Sequence, residues 1–260
     1  MISILGVDGS GKSHLAAQIQ GQKGHKVRVL RATDYHLSPL AEVSDLSWML
    51  SALSNTADER KSYELKGISL FLKMMLFTKA RKNLLSNCPS TFEITERHPV
   101  IDFMVYSPFY QTMMQTECLS QELFFALKND NTFDSLWGYF DAEVKEKVGV
   151  SFKDLPQFLI ALSRQSQAWD QNTFYTLEAL FDCPLPKAVV YINIPSQEHQ
   201  DRLSQRKSLQ ELHERRKVLQ NLHSRYVKIL DFLSSGIEVH FHASFDDTCI
   251  FISKHGTSNS

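Results

Sequence analysis

Residues 6–13 read Gly6-Val7-Asp8-Gly9-Ser10-Gly11-Lys12-Ser13, directly after the apolar run Met1-Ile2-Ser3-Ile4-Leu5. This is the G-x-x-x-x-G-K-[ST] spelling of a loop that cradles phosphate. The glycines let the backbone turn tightly enough for successive N–H groups to aim at one anion. Lys12 supplies a point charge for the β- and γ-phosphates, and the Ser13 hydroxyl is a ligand for Mg²⁺. His14 sits in the helical stretch 13–22, whose N-terminal dipole adds to the attraction. Strand, loop and helix in this order are the context that the motif demands, so residues 6–14 are expected to bind a nucleoside triphosphate.

Working outward, short apolar and β-branched segments at 2–6, 26–31, 91–95, 187–193 and 237–242 lack strict alternation and read as buried parallel strands. Helical stretches at 13–22, about 63–86 and 197–234 separate them. Strands alternating with helices imply an α/β, three-layer P-loop fold: a five-stranded parallel sheet flanked by helices. Residues 107–183 break the rhythm and read as a mostly helical insertion, with runs near 119–128, 152–163 and 171–181. The whole, residues 1–260, is expected to be one domain. Lys254 to Ser260 read as a frayed tail.

Composition narrows the partners. A formal net charge of −1 argues against a general role on nucleic-acid polymers or membrane surfaces. Cys88, Cys118, Cys183 and Cys249 form no C-x-x-C pair, so reduced thiols in a cytoplasmic protein are the expectation. No apolar run reaches membrane-spanning length, and the N-terminus reads as a strand rather than a secretion leader.

Three further constellations carry chemistry. Glu96-Arg97-His98 follows the third strand, where a carboxylate can hold metal-bound water or accept a proton, and an arginine can clamp a phosphoryl group bidentately. Phe77 and Arg81, at i and i+4, put an aromatic face and a guanidinium on one side of a helix; a core Phe beside a solvated Arg is the plainer reading. The basic stretch 202–216, with Arg206, begins shortly after a core strand, where a mobile lid would bring arginines onto a transferring phosphate; a solvated helix face explains it equally.

Together these motifs resemble the thymidylate kinase family of P-loop nucleoside monophosphate kinases. The resemblance covers the start of the chain, 26–36 weakly, 71–107 and 187–245, and leaves most of 107–183 aside. It implies that Asp8 bonds the acceptor's sugar 3′-hydroxyl and that Arg31 grips the acceptor phosphate. It implies that Phe77-Thr78-Lys79-Ala80-Arg81 stacks and contacts the base, and that Glu96-Arg97-His98 takes the place of Asp-Arg-Tyr or Asp-Arg-His. Arg225-Tyr226 matches the end of the helix after the lid. Glu at 96 is also similar to the Glu-Arg-Ser motif of deoxynucleoside kinases, and the Asp/Glu-Pro-x-Gly element after the second strand is missing. No arginine stands between Gly6 and Gly11, so Arg206 or a neighbour would supply the catalytic one. The expected chemistry is ATP-dependent phosphorylation of a nucleoside monophosphate, dTMP first, with Mg²⁺ held by Ser13 and Glu96, in a possible homodimer. A nucleoside or small-molecule kinase is the second reading. A regulatory nucleotide-binding protein, using Trp137, Tyr139, Phe140, Phe152 and Trp169 as an interface, is the third.

Overall fold

The computed structural model describes residues 1–21, 27–85, 92–116, 134–151, 154–193 and 216–256. Five strands, β1 (Ile2–Leu5), β2 (Val27–Leu30), β3 (Phe92–Glu96), β4 (Ala188–Tyr191) and β5 (Glu238–Phe241), form one sheet in the order β2-β3-β1-β4-β5. Every pairing is parallel, with Ile4 opposite both Glu96 and Val190. The expected five-stranded parallel sheet is therefore present. Glu96 is the last residue of β3 rather than the first beyond it.

Alternation along β1 divides the core. Ile2 and Ile4 pack with Leu15, Ile19, Ile94, Val190 and Phe251 on one face of the sheet. Leu5 points to the other face, among Leu50, Leu72, Met104 and Tyr191. Both faces of the central strands are covered, so these strands carry unbroken apolar runs. Helices α1 (Lys12–Gly21) and α9 (Phe245–Gly256) bring Leu15, Ile19 and Phe251 to the first face. The second face carries α2 (Ala41–Arg60), α3 (Tyr63–Leu85), α4 (Pro99–Thr116), α6 (Leu155–Gln165), α7 (Gln171–Phe181) and α8 (Arg216–Leu233). α5 (Asp134–Val148) adds Leu136, Phe140 and Val144 to the same core.

Three points correct the sequence reading. The helix 41–60 was not expected, although its buried stripe Val43, Leu46, Leu50, Leu53 and Ala57 follows helical spacing. Ser47 and Ser54 interrupt that stripe with poor helix formers and obscure it. Residue 107 lies inside α4, so the break in rhythm falls within a helix and not at an element boundary. Lys254 and His255 belong to α9 and pair with Glu238 of β5, so the expected tail begins inside a helix; residues 257–260 lie outside the described residues. The run at 119–128 lies outside the described residues, as does the helix at 197–234 before Arg216.

α4 contains a proline in its interior, Pro108. Pro108 has no N–H for the carbonyl of Met104, four residues earlier. Arg225 of α8 takes that role: its Nη2 donates to the Met104 carbonyl at 2.8 Å and its Nε to that of Val105 at 3.1 Å. The guanidinium also lies 5.7 Å from the Trp169 ring. The neighbouring Tyr226 hydroxyl donates to Asp102 at 2.6 Å, so the Arg225-Tyr226 pair seats α8 against one flank of α4.

Candidate active site

β1 is central in the sheet, flanked by β3 and β4, so the loop after its carboxyl end opens into the crevice where the strand order reverses. Gly9 and Gly11 adopt φ of 85° and 98°, which side chains rarely tolerate. At Gly6 a Cβ would lie 2.6 Å from Ser10 Oγ and 3.0 Å from the Ile192 carbonyl, so only glycine fits. Lys12 is buried and donates to the Val7 carbonyl at 2.8 Å, with Asp8 3.8 Å away. Burial, reinforced by the nearby Arg97 charge, lowers its pKa to about 8. Asp8, Gly9, Gly11, Lys12, Ser13, His14 and Glu96 line a cavity of ≈ 320 Å³. Val7 and Ser10 stand behind it, buried at 5% and 1% exposure.

Ser13 Oγ donates to Glu96 Oε1 at 2.8 Å. A hydroxyl and a carboxylate oxygen at this edge are hard ligands suited to Mg²⁺, which keeps waters and takes the rest of its shell from phosphates. No group of three or more His, Cys, Asp or Glu side chains placed to hold a metal ion occurs among the described residues.

Arg97, with φ of 75°, holds a backbone conformation that is uncommon outside glycine. Its N–H donates to the Ile4 carbonyl at 3.0 Å, continuing the β3–β1 ladder and fixing the turn. The side chain forms an ion pair with Asp8 and reaches the Tyr106 hydroxyl at 3.3 Å and Asp102 at 3.5 Å. Tyr106 in turn donates to Asp8 at 3.1 Å. Burial opposes the Arg97 charge, but Asp8, Tyr106 and Asp102 outweigh it and hold its pKa well above the ordinary value. Burial, helped by Asp102, likewise keeps the Tyr226 hydroxyl protonated and donating. The phosphate loop, the turn after β3 and α4 are thereby locked together.

A second cavity, of ≈ 270 Å³, lies on the other side of this lock. Asp8 and Glu96 line both cavities. Its apolar wall is Tyr35, Leu70, Met74 and Phe77, with Tyr35 and Phe77 edge-to-face at 6.5 Å. Phe77 also lies 6.3 Å from the His98 ring. His98 is buried and its Nε2–H donates to the Pro184 carbonyl at 3.1 Å; burial lowers its pKa to about 3. Polar groups come from α2 and α3: Ser51, Ser54, Asn55, Lys66 and Lys73. Lys66, 1% exposed, donates to Ser54 at 2.8 Å and to Asp58 at 2.5 Å.

The structure brings Asp8, Phe77, Glu96 and Arg97 together around this cavity. It does not bring Arg81 there. The Arg81 guanidinium is held bidentately by Glu93, which ties α3 to β3 beyond the cavity wall. Arg31, at the start of the short 3₁₀ turn Ala32–Leu37, is not among the described residues that line either cavity. Arg206 and the stretch 202–215 lie outside the described residues. Sequence reasoning missed Lys66, Lys73, Tyr106 and the serines of α2. The spacing 66, 70, 73, 74, 77 along α3 was the available signal, since it traces one face of a helix.

No family model matches the chain, and no curated protein matches it. Similar solved structures include a thymidylate kinase from Candida albicans, at 16% identity and a TM-score of 0.49, covering 99% of this chain and 91% of that one. A deoxyadenosine kinase from M. mycoides with dCTP bound has 12% identity and a TM-score of 0.46, over 98% and 97% of the two chains. The same enzyme with dATP bound gives 14% identity and a TM-score of 0.45, over 99% of each chain.

Proposed function

We propose that this chain transfers the γ-phosphoryl group of ATP to a nucleoside monophosphate, with dTMP as the first acceptor to test. The observation that carries the reading is the pair of cavities meeting at Asp8 and Glu96, one walled by the phosphate loop and the other by aromatic and polar side chains. Phosphoryl transfer needs positioning and charge neutralisation more than a strong base. Lys12 and the loop amides hold the donor phosphates. Ser13 and Glu96 would hold Mg²⁺, which when bound would neutralise charge on the donor phosphates. Asp8 meets the acceptor's sugar, Phe77 packs on its base, Arg97 holds its phosphoryl end, and Arg206 closes from the 202–216 stretch.

One observation favours a neutral nucleoside instead. Arg31 is not among the described residues lining the acceptor cavity, and Arg97 is already paired with Asp8 and Asp102. The cations lining that cavity, Lys66, Lys73 and Arg97, are matched by Asp8, Glu96 and Asp102. Of the five aromatic residues behind the regulatory reading, Trp137 and Phe140 are buried in the core, Tyr139 and Trp169 are partly buried against it, and Phe152 lies outside the described residues. No helix among the described residues is long and apolar enough to cross a membrane. A cytoplasmic location and a homodimer complete the proposal.

ADP release is to be measured over paired nucleosides and monophosphates. Acceptor-dependent turnover that disappears in Lys12→Ala supports the reading. ATP binding without turnover on any acceptor, or full activity in Lys12→Ala, overturns it.

A further inference from the structure

Arg97 is shared by two carboxylates. Its guanidinium forms an ion pair with Asp8 of the phosphate loop, and its Nη1 lies 3.5 Å from Asp102 Oδ2 on α4. Asp8, Arg97 and Asp102 all line the acceptor cavity. In the proposed reaction Asp8 meets the acceptor's sugar and Arg97 its phosphoryl end, so the pair between them has to open. The Arg97 side chain then keeps Asp102 and the Tyr106 hydroxyl, which is 3.3 Å from Nη1.

Asp102 is placed to stay behind. It is 2% exposed and stands in the first turn of α4, where the helix dipole favours a negative charge. Its two oxygens have different partners: Oδ2 faces Arg97, and Oδ1 accepts from the Tyr226 hydroxyl of α8 at 2.6 Å. Tyr226 is fully buried, with its ring edge-to-face against Tyr106 at 6.3 Å. It is not among the described residues that line either cavity, so it acts on the site through Asp102. The charge on Asp102 is contested. Burial raises its pKa and Asp8 adds to the rise, while Arg97, the Tyr226 hydroxyl and Lys12 pull it down. Tyr106 faces the same group as a neutral phenol, its own pKa raised by burial. A hydrogen bond to the charged form favours that form, so the Tyr226 hydroxyl helps to keep Asp102 an anion.

We infer that Tyr226 is a positioning residue for phosphoryl transfer: its hydroxyl fixes the Asp102 carboxylate, so that Arg97 keeps an anchor on α4 while it exchanges Asp8 for the reacting phosphoryl group. The inference rests on the proposed two-substrate site. A guanidinium carries its donors in a rigid planar fork, so holding one edge orients the other. Arg225 and Tyr226 then divide their tasks on α4, the first satisfying its carbonyls and the second its carboxylate.

The test uses the full chain and steady-state ADP release, with the acceptor that wild type turns over fastest, as a function of pH. Tyr226→Phe keeps the ring and deletes the hydroxyl. It is expected to bind ATP as wild type does, which is the folding control, and to lose about tenfold in kcat at neutral pH. Protonation of Asp102 releases Arg97, so activity falls on the acid side. Without the Tyr226 bond to the charged form, that fall is expected about one pH unit higher. Asp102→Asn is expected to lose at least as much in kcat, and adding Tyr226→Phe to it should cost about twofold or less, because the hydroxyl acts through that carboxylate. An acid limb at the wild-type pH in Tyr226→Phe, or an undiminished loss in the Asp102→Asn background, overturns the inference and leaves the kinase reading intact. If Tyr226→Phe fails the ATP control, Asp102→Asn decides alone, and wild-type kcat in that variant overturns the inference. No acceptor-dependent turnover by a wild type that binds ATP overturns the inference together with the proposed function.

Discussion

The seating of α4 on Arg225 can be tested by a double-mutant cycle with Pro108. Arg225→Met removes the donors at 2.8 and 3.1 Å from the Met104 and Val105 carbonyls, in a region where both residues are buried. A hydrogen bond to a charged group contributes about 1.5–3 kcal/mol, and a buried carbonyl left unpaired costs about 1–3 kcal/mol. Burial lowers the pKa of Arg225, so part of that gain offsets the cost of holding its charge out of water. The net loss expected for Arg225→Met is about 2–3 kcal/mol. Pro108→Ala restores an N–H that the helix itself offers to Met104. In that background Arg225→Met should therefore cost about 1–2 kcal/mol less. Urea unfolding of the four proteins, with matched slopes, gives the coupling directly. Costs of Arg225→Met that agree within about 0.5 kcal/mol in both backgrounds would refute the idea that Arg225 substitutes for the missing proline donor.

Three further outcomes are expected. With Lys12 lowered to about 8 by burial, ATP affinity should fall as pH rises above about 8, by up to about tenfold per unit, and calorimetry of Lys12→Met should show no such slope. His98 is lowered to about 3, so between pH 6.5 and about 3 the unfolded chain binds the proton that the folded chain refuses. Stability should fall with pH through that window by up to about 1.4 kcal/mol per unit from this group, and urea titrations of His98→Gln should show a shallower decline. Glu96→Gln removes the carboxylate that accepts from Ser13, so kcat should drop about a hundredfold or more and the Mg²⁺ concentration giving half-maximal rate should rise; an unchanged Mg²⁺ dependence would remove Glu96 from the metal site.

Some parts of the site were legible because they are local. The loop at 6–13 and the carboxylate at the end of β3 are defined by neighbours in sequence, and backbone geometry alone carries them to the same crevice. Other parts depend on contacts between distant segments. Arg81 stands at the expected helical spacing from Phe77, yet its partner Glu93 was within reach only once α3 had packed on β3. Lys66 reads as a surface lysine until α2 brings Ser54 and Asp58 to it. Arg225 matched a family pattern, but its role could not be read without the proline beside it in α4.

The sequence alone therefore determined the proposed donor half: the phosphate-loop motif, its strand and helix, and a parallel sheet, all of which follow from short-range patterns of glycine, charge and apolar residues. Only the tertiary structure decided the proposed acceptor half. Its cavity draws walls from α2, α3 and α4, so their side chains converge through packing between segments far apart in the chain. Burial and pairing, which no single segment encodes, then separate the groups that face the cavity from those that hold the fold together.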